Sequence, residues 1–149
     1  MTMRLPTPFH VRTAERNPAN AWVARGGFTV PAHFGDVQQE VLAARVSAVL
    51  ADAGAREDLR VEGEGAAALL SAACGMDAAA IEPGAVRSVY WCADGGGVRG
   101  IGRLYRFGET DYLLRSLDAD LAWFEPAAPR FGASLRDETQ ARGLLLLAG

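Results

Sequence analysis

Leu59-Arg60-Val61-Glu62-Gly63-Glu64-Gly65-Ala66-Ala67-Ala68-Leu69-Leu70 reads as a strand, a turn and the start of a helix. Leu59–Val61 is the strand, Gly63–Gly65 turns the chain, and Ala66–Cys74 is the helix. Gly75 is its stop, at the place where a left-handed residue commonly closes a helix. Downstream, Pro83-Gly84 is a turn, and Arg87–Ala93 is a strand rich in Val, Tyr and Trp. Asp94-Gly95-Gly96-Gly97 has the chemistry of a hairpin loop, and Ile101–Arg106 is the return strand. Gly108–Asp111 turns again into a third strand, Tyr112–Arg115. Asp118 or Asp120 caps a short helix carrying Leu121, Trp123 and Phe124 to about Pro126, and Ala133–Arg136 is a last strand. The order strand, helix, three strands, helix, strand predicts an α+β sandwich of the split βαβ, ferredoxin-like kind with one extra strand.

Upstream of this block, residues 1–34 are irregular at first, then hold a strand near Ala21–Ala24 and a turn at Gly26-Gly27. Asp36 with Gln39 three residues on reads as a capping box opening a helix to about Leu50. Val37, Val41, Leu42, Val46 and Val49 form its apolar stripe. At the other end, Leu144-Leu145-Leu146-Leu147 reads as a buried strand, which must find neighbours on both faces.

Composition narrows the function. Half of the 149 residues are hydrophobic and the net charge is −3, which argues against a nucleic-acid partner. All 15 basic residues are arginine, so no lysine serves as a Schiff base or general base. Heavy use of Ala, Gly and Arg points to a GC-rich bacterial genome. No apolar run approaches the roughly 18 residues of a membrane span. The polar first 20 residues lack the core of a signal peptide, so the expected location is the cytoplasm. Cys74 and Cys92 lack metal-type spacing, and no metal is expected.

Four segments resemble the T-protein (aminomethyltransferase) family of the glycine cleavage system, which includes sarcosine and dimethylglycine dehydrogenases. Val30-Pro31-Ala32-His33-Phe34-Gly35-Asp36 is similar to the family's "MPVQYGD" turn into a long helix. Val46 through Ala68 follows its "GLFDVSHMGKIEVRGPDAAAFL" pattern without a gap. Cys74 through Gly84, then Val98, resembles "LTNDVSALKPG" followed by a glycine-rich hairpin. Phe131 through Gly149 resembles "FGVEVEDRTDEYALLALQG". The series covers nearly the whole chain, whereas the family's chains run more than twice as long.

The departures bear on chemistry. The resemblance implies an acid in the hairpin run "GGVLDD" that positions the folate nitrogen and the aminomethyl group. The matching run here is Gly96-Gly97-Val98-Arg99-Gly100-Ile101, so Gly100 stands at the acid's position and offers no side chain for proton or electrostatic work. Strand alternation puts Gly100, Gly102 and Leu104 on one face, without an ionisable group. The family's "SHMG" is Gly54-Ala55-Arg56-Glu57, the tyrosine lining its folate pocket matches Ser88, and its "VVNAAN" stretch is shortened to Arg115–Ala119. Loss of aminomethyl transfer to tetrahydrofolate is the expectation, with no cofactor-binding residue and no cofactor required.

The resemblance also implies a discontinuous first domain: residues 1–52 supply its opening strand and helix, 53–138 form the α+β second domain, and 139–149 are the returning strand. The fold expected is therefore T-protein-like, with an incomplete first domain completed by a partner chain. That partner is a larger T-protein-like subunit, in a heterodimer or heterotetramer, with the main catalytic residues on it.

Candidate substrate-binding residues are Arg99 and Arg103, whose guanidinium forks suit a carboxylate, sulfate or phosphate, and His33, a candidate general base. For each, a solvated or structural role is the competing reading. Gly95–Gly100 matches G-x-G-x-x-G, but antiparallel flanks in place of a following helix argue against a dinucleotide site. His10 is expected to be inert, and Trp22, Trp91 and Trp123 to be core or interface residues.

The leading expectation is a small subunit of a two-chain enzyme acting on a small amine or amino-acid-derived substrate. Its chemistry would be an elimination or cyclisation of the aziridine-forming type in bacterial specialised metabolism. The alternatives are a tetrahydrofolate-handling subunit of an aminomethyltransferase or sarcosine-oxidase-like complex, and a non-catalytic stabilising subunit.

Overall fold

The computed structural model describes residues 4–93, 95–116 and 121–149. Asp94 of the hairpin loop, the Asp118 or Asp120 helix cap and the end of the shortened 115–119 stretch lie outside the described residues. In chain order the elements are β1 (Leu5–Pro6), α1 (His10–Glu15), β2 (Trp22–Arg25), β3 (Phe28–Pro31), α2 (Val37–Val46), β4 (Val49–Asp52) and β5 (Glu57–Glu62). Then follow α3 (Ala66–Cys74), β6 (Val86–Cys92), β7 (Val98–Arg106), β8 (Asp111–Ser116), α4 (Leu121–Phe124), α5 (Ala128–Phe131), β9 (Ser134–Asp137) and β10 (Leu145–Ala148). The chain divides into two compact units, residues 1–55 with 140–149, and residues 56–139.

The second unit is built on an antiparallel sheet in the order β6-β7-β8-β5-β9. Helix α3 covers one face because its buried residues, Ala66, Leu69, Leu70 and Cys74, recur at helical spacing. Gly75 stops it in the left-handed conformation, at φ 60°, where a side chain would be strained. Leu59 and Val61 of β5, Val89 and Trp91 of β6, Leu104 of β7, and Tyr112 and Leu114 of β8 meet the helix in one core. The expected succession of strands and helices is present. Its second helix is two short ones, α4 and α5, separated at Glu125-Pro126-Ala127. Phe124 closes the core edge-on to Trp91, with ring centroids 5.7 Å apart.

In the first unit β3 lies between β1 and β2, parallel to the former and antiparallel to the latter. Phe28, Val30 and Ala55 form a small core. The Asn17 side chain pairs with both backbone groups of Ala21 (3.0 and 3.1 Å), closing the loop that feeds β2. Asp36 caps α2 by accepting from the Gln38 and Gln39 amides at 2.8 and 3.2 Å. Glu40 is what reaches back, its Oε1 accepting from the Phe34 and Gly35 amides at 2.8 Å each.

Two expectations change here. Helix α2 ends at Val46, not near Leu50, because Val49–Asp52 leaves the helix to pair antiparallel with β10. The terminal leucines do form a strand, yet every residue of β10 is exposed. Among the described residues its sheet has two strands, and Val49 and Asp52 of β4 are half-buried while all of β10 faces solvent.

No helix among the described residues is long and apolar enough to cross a membrane, and among them no three His, Cys, Asp or Glu side chains group as metal ligands.

Candidate functional site

The alternation of β7 sends Gly100 and Leu104 into the core and leaves Ile101 and Arg103 exposed on the opposite face, and Arg99 is exposed as well. Arg99 sits where the register of β6 against β7 shifts, Trp91 pairing with Gly100 and Cys92 with Val98, so it is exposed at a bulge and outside the regular alternation that places Ile101 and Arg103. The register sets Arg103 between Ser88 of β6 and Arg115 of β8. Arg115 is fixed by a two-pronged bond to Asp58 of β5: Nε to Oδ1 at 2.7 Å and Nη2 to Oδ2 at 2.5 Å. Asp58 is buried, and its hydrogen-bonded carboxylate holds the Arg115 guanidinium above its ordinary range against the opposing cost of burial. Beside it, Arg60 bonds to Asp111 and lies 4.7 Å from the Phe107 ring centroid. Arg115 lies 5.8 Å from the ring of Tyr105. The outer face of the sheet is thus a row of guanidinium groups braced by carboxylates and aromatic rings, with Arg103 at its exposed side and Arg99 at the bulge.

Gly100 lies on the buried face directly across from Trp91. A Cβ added there would sit 2.3 Å from Trp91 Cζ2 and 2.9 Å from its Nε1. The position that the resemblance gives to an acid is filled by an indole ring, and no side chain fits beneath it without displacing the tryptophan.

His33 belongs to the first unit, between β3 and the Asp36 cap. It is half-buried, and among the described residues its Nδ1 has no hydrogen-bond partner. His10 stacks on Trp22, centroids 4.7 Å apart. The same unit holds a cavity of about 420 Å³, walled by Phe9, Phe34, Leu50 and Leu145, with Arg12, Arg16 and Asp52 at its lining. Asp52 is already engaged, accepting from Thr7 Oγ1 at 2.5 Å and from the Gly54 amide at 2.8 Å.

The Asp58–Arg115 pair was not among the residues singled out from sequence; Trp91 was expected in a core or interface and is fully buried, but its place over Gly100 was not foreseen. Counting back from the loop would set Trp91 opposite Arg99; the register shift between Trp91 and Cys92 is what brings it over Gly100, where the ring fills the space a missing side chain leaves.

Burial also separates the two cysteines. The Cys74 thiol is pushed up to about 11 from an ordinary 9.0 by desolvation, whereas Cys92 is partly exposed. Ellman's reagent at pH 8 is expected to label Cys92 in the native protein and to reach Cys74 only on unfolding. The buried neutral thiol contributes stability that is present below pH 9 and lost as pH rises towards 11. Cys74→Ala removes this alkaline dependence in urea melts, and an unchanged slope would refute the assignment.

Residues 10–149 match the family described as the GCVT N-terminal domain. The chain belongs to that family. Among its relatives, the aminomethyltransferase of Deinococcus deserti is 29% identical over 147 residues, covering 96% of this chain and 41% of its own. That of Geobacillus kaustophilus is 31% identical over 102 residues, covering 66% of this chain and 28% of its own. The crystal structure of the glycine cleavage system aminomethyltransferase T from Bartonella henselae superposes with a TM-score of 0.84 at 27% identity. It covers 97% of this chain and 40% of that one. The chain is therefore similar to the N-terminal portion of these T-proteins and spans about two-fifths of the length of the two that it matches almost throughout.

Proposed function

We propose that the chain is the small subunit of a two-chain T-protein-like enzyme of bacterial specialised metabolism, working in the cytoplasm on a small amine or amino-acid-derived substrate. A second, larger T-protein-like polypeptide supplies the rest of the fold and the main catalytic residues. Aminomethyl transfer to tetrahydrofolate is lost in this reading. The observation that carries it is Gly100: a folate nitrogen that needs an acid at this position finds a buried glycine under Trp91. In this reading Gly100, buried beneath Trp91, offers no side chain to hold a folate nitrogen.

The chemistry remaining to this chain is anion recognition. Arg99 and Arg103 are both exposed on β7 and carry guanidinium groups suited to an anion. They suit the anionic end, or the anionic leaving group, of a substrate that undergoes intramolecular elimination or ring closure of the aziridine type. A guanidinium there would stabilise negative charge as it develops on the departing group.

The test is calorimetry on the complex purified from the organism that encodes the chain. Tetrahydrofolate at millimolar concentration is expected to give no binding heat. Micromolar binding would overturn the reading in favour of a folate-handling subunit. In turnover of an anionic substrate, Arg99→Ala or Arg103→Ala is expected to lower kcat/KM about 10- to 100-fold. Unchanged kinetics in both variants would remove the arginines from the site, and full turnover by the partner alone would make this chain a stabilising subunit.

A further inference from the structure

The first unit holds a set of large apolar side chains in solvent. Helix α2 buries none of its residues, and Val37, Val41, Leu42 and Val46 are all exposed. On the β4–β10 ribbon Leu50, Leu146 and Leu147 are 61%, 56% and 72% exposed. Single exposed leucines are ordinary on protein surfaces, whereas a patch of them marks an interaction face; on the ribbon Leu146 points to one face and Leu50, Leu145 and Leu147 to the other. The register sets Leu50 opposite Leu147 and Asp52 opposite Leu145, so these four share one face of the ribbon. Leu50, Asp52 and Leu145 also wall the cavity of about 420 Å³, which makes the ribbon face and the cavity one surface.

Two further observations say what covers it. Among the described residues each strand of the ribbon has a single partner, so each presents an open edge of backbone donors and acceptors. A two-stranded ribbon is marginal by itself and gains most from a third strand. The cavity is also lined by Arg12 and Arg16. Arg12 is engaged only at the surface, with Glu15 at 3.2 Å, a contact of small worth that a better-placed carboxylate displaces. A second copy of this chain would bring the same two arginines to the same patch, and like charges oppose that pairing.

We propose that the β4–β10 ribbon is a strand-addition site for the second polypeptide. The incoming strand pairs with an open edge and lays alternate apolar side chains on the leucines. It seats one bulky apolar side chain in the Phe9–Phe34 cavity and sets a carboxylate against Arg12 and Arg16. This deepens the two-chain reading and rests on it.

The full-length tagged chain is purified from its native host as wild type, Leu147→Glu, Arg16→Glu and Val98→Glu, with the mass of each complex read by light scattering. Val98 lies in the other unit and is 66% exposed, so it reports on charge addition elsewhere. All four proteins are expected to melt alike when isolated, since the changed side chains sit at the surface. Wild type and Val98→Glu are expected to carry a stoichiometric companion polypeptide. Leu147→Glu is expected to weaken it about 100-fold and Arg16→Glu about 10-fold. Amide exchange at 145–148 is expected to slow in the complex. A companion retained equally by every variant, with no added protection at 145–148, would overturn the ribbon site and leave the two-chain reading standing. A lone monomer would overturn both. A dimer of this chain alone, abolished by Leu147→Glu, would overturn the proposed occupant.

Discussion

Gly100→Ala is expected to destabilise the protein by about 3 kcal/mol or more, at the upper end of what overpacking a core costs. The new methyl would lie 2.3 Å from Trp91 Cζ2 and 2.5 Å from Cε2, inside van der Waals contact, on an element fixed by strand pairing on both sides. Relief has to come from the indole, which is fully buried and leans on Phe124. Gly100→Asp adds an unpaired carboxylate to the same apolar space and is expected to unfold the second unit, not to restore acid chemistry. A thermodynamic cycle separates the clash from general glycine effects. The atom nearest the added carbon, Cζ2, belongs to the outer benzo ring that phenylalanine lacks. Trp91→Phe in the Gly100→Ala background is therefore expected to recover at least about 1 kcal/mol relative to the sum of the single changes. Additive losses in urea denaturation would show that the tryptophan is not what excludes a side chain.

Asp58→Ala is the second large effect, expected to cost about 3–5 kcal/mol. Arg115 keeps 14% side-chain exposure, and its two short bonds go to a carboxylate that is 3% exposed. Removing the acid leaves a guanidinium against Tyr105 with no counter-charge and little water. Asp58 also ties β5 to the segment after β9 by its backbone: its carbonyl accepts from the Glu138 amide at 2.8 Å, and its amide donates to Thr139 Oγ1 at 3.1 Å. Those bonds survive the substitution, so the loss reads the ion pair itself. The Asp58→Ala, Arg115→Met double variant is expected to regain most of it, because removing both charges removes the unmatched one. Equal melting of the single variant and wild type would mean that the pair contributes nothing to the fold.

How much of this was legible in the chain depended on whether the signal was local. Helix α3 was readable to the residue because a glycine turn precedes it, its apolar spacing is helical and Gly75 ends it. The hairpin strands β6 and β7 were readable from Val, Tyr and Trp content around a glycine loop. Strand β4 was not, because Val46 and Val49 continue the apolar stripe of α2, and only pairing with residues 145–148 makes an extended segment favourable. Strand β3 and the short α1 were missed in the Pro-rich opening segment for lack of a clear period. At the candidate site the sequence set Gly100 and Leu104 on one strand face, and both are buried on the core side of β7. What it left hidden was tertiary. Asp58 and Arg115 lie 57 positions apart, and only the register of β5 against β8 sets them side by side.

The Ala53 amide donates to the Leu144 carbonyl at 2.9 Å, so the chain leaves the first unit and re-enters it one hydrogen bond apart. The inserted unit has neighbouring ends as well: Leu59 pairs with Asp137, and Glu138 bonds back to Asp58. This sets an order of assembly. Closing β4 on β10 across an unfolded stretch carries a loop-entropy cost that grows with the logarithm of its length. Once the inserted unit has folded, its own ends hold residues 56 and 139 together, and the remaining loop is only a few residues on each side. The uninterrupted unit is thus expected to nucleate first, with the ribbon of the other zipping up behind it as a late and weakly held step.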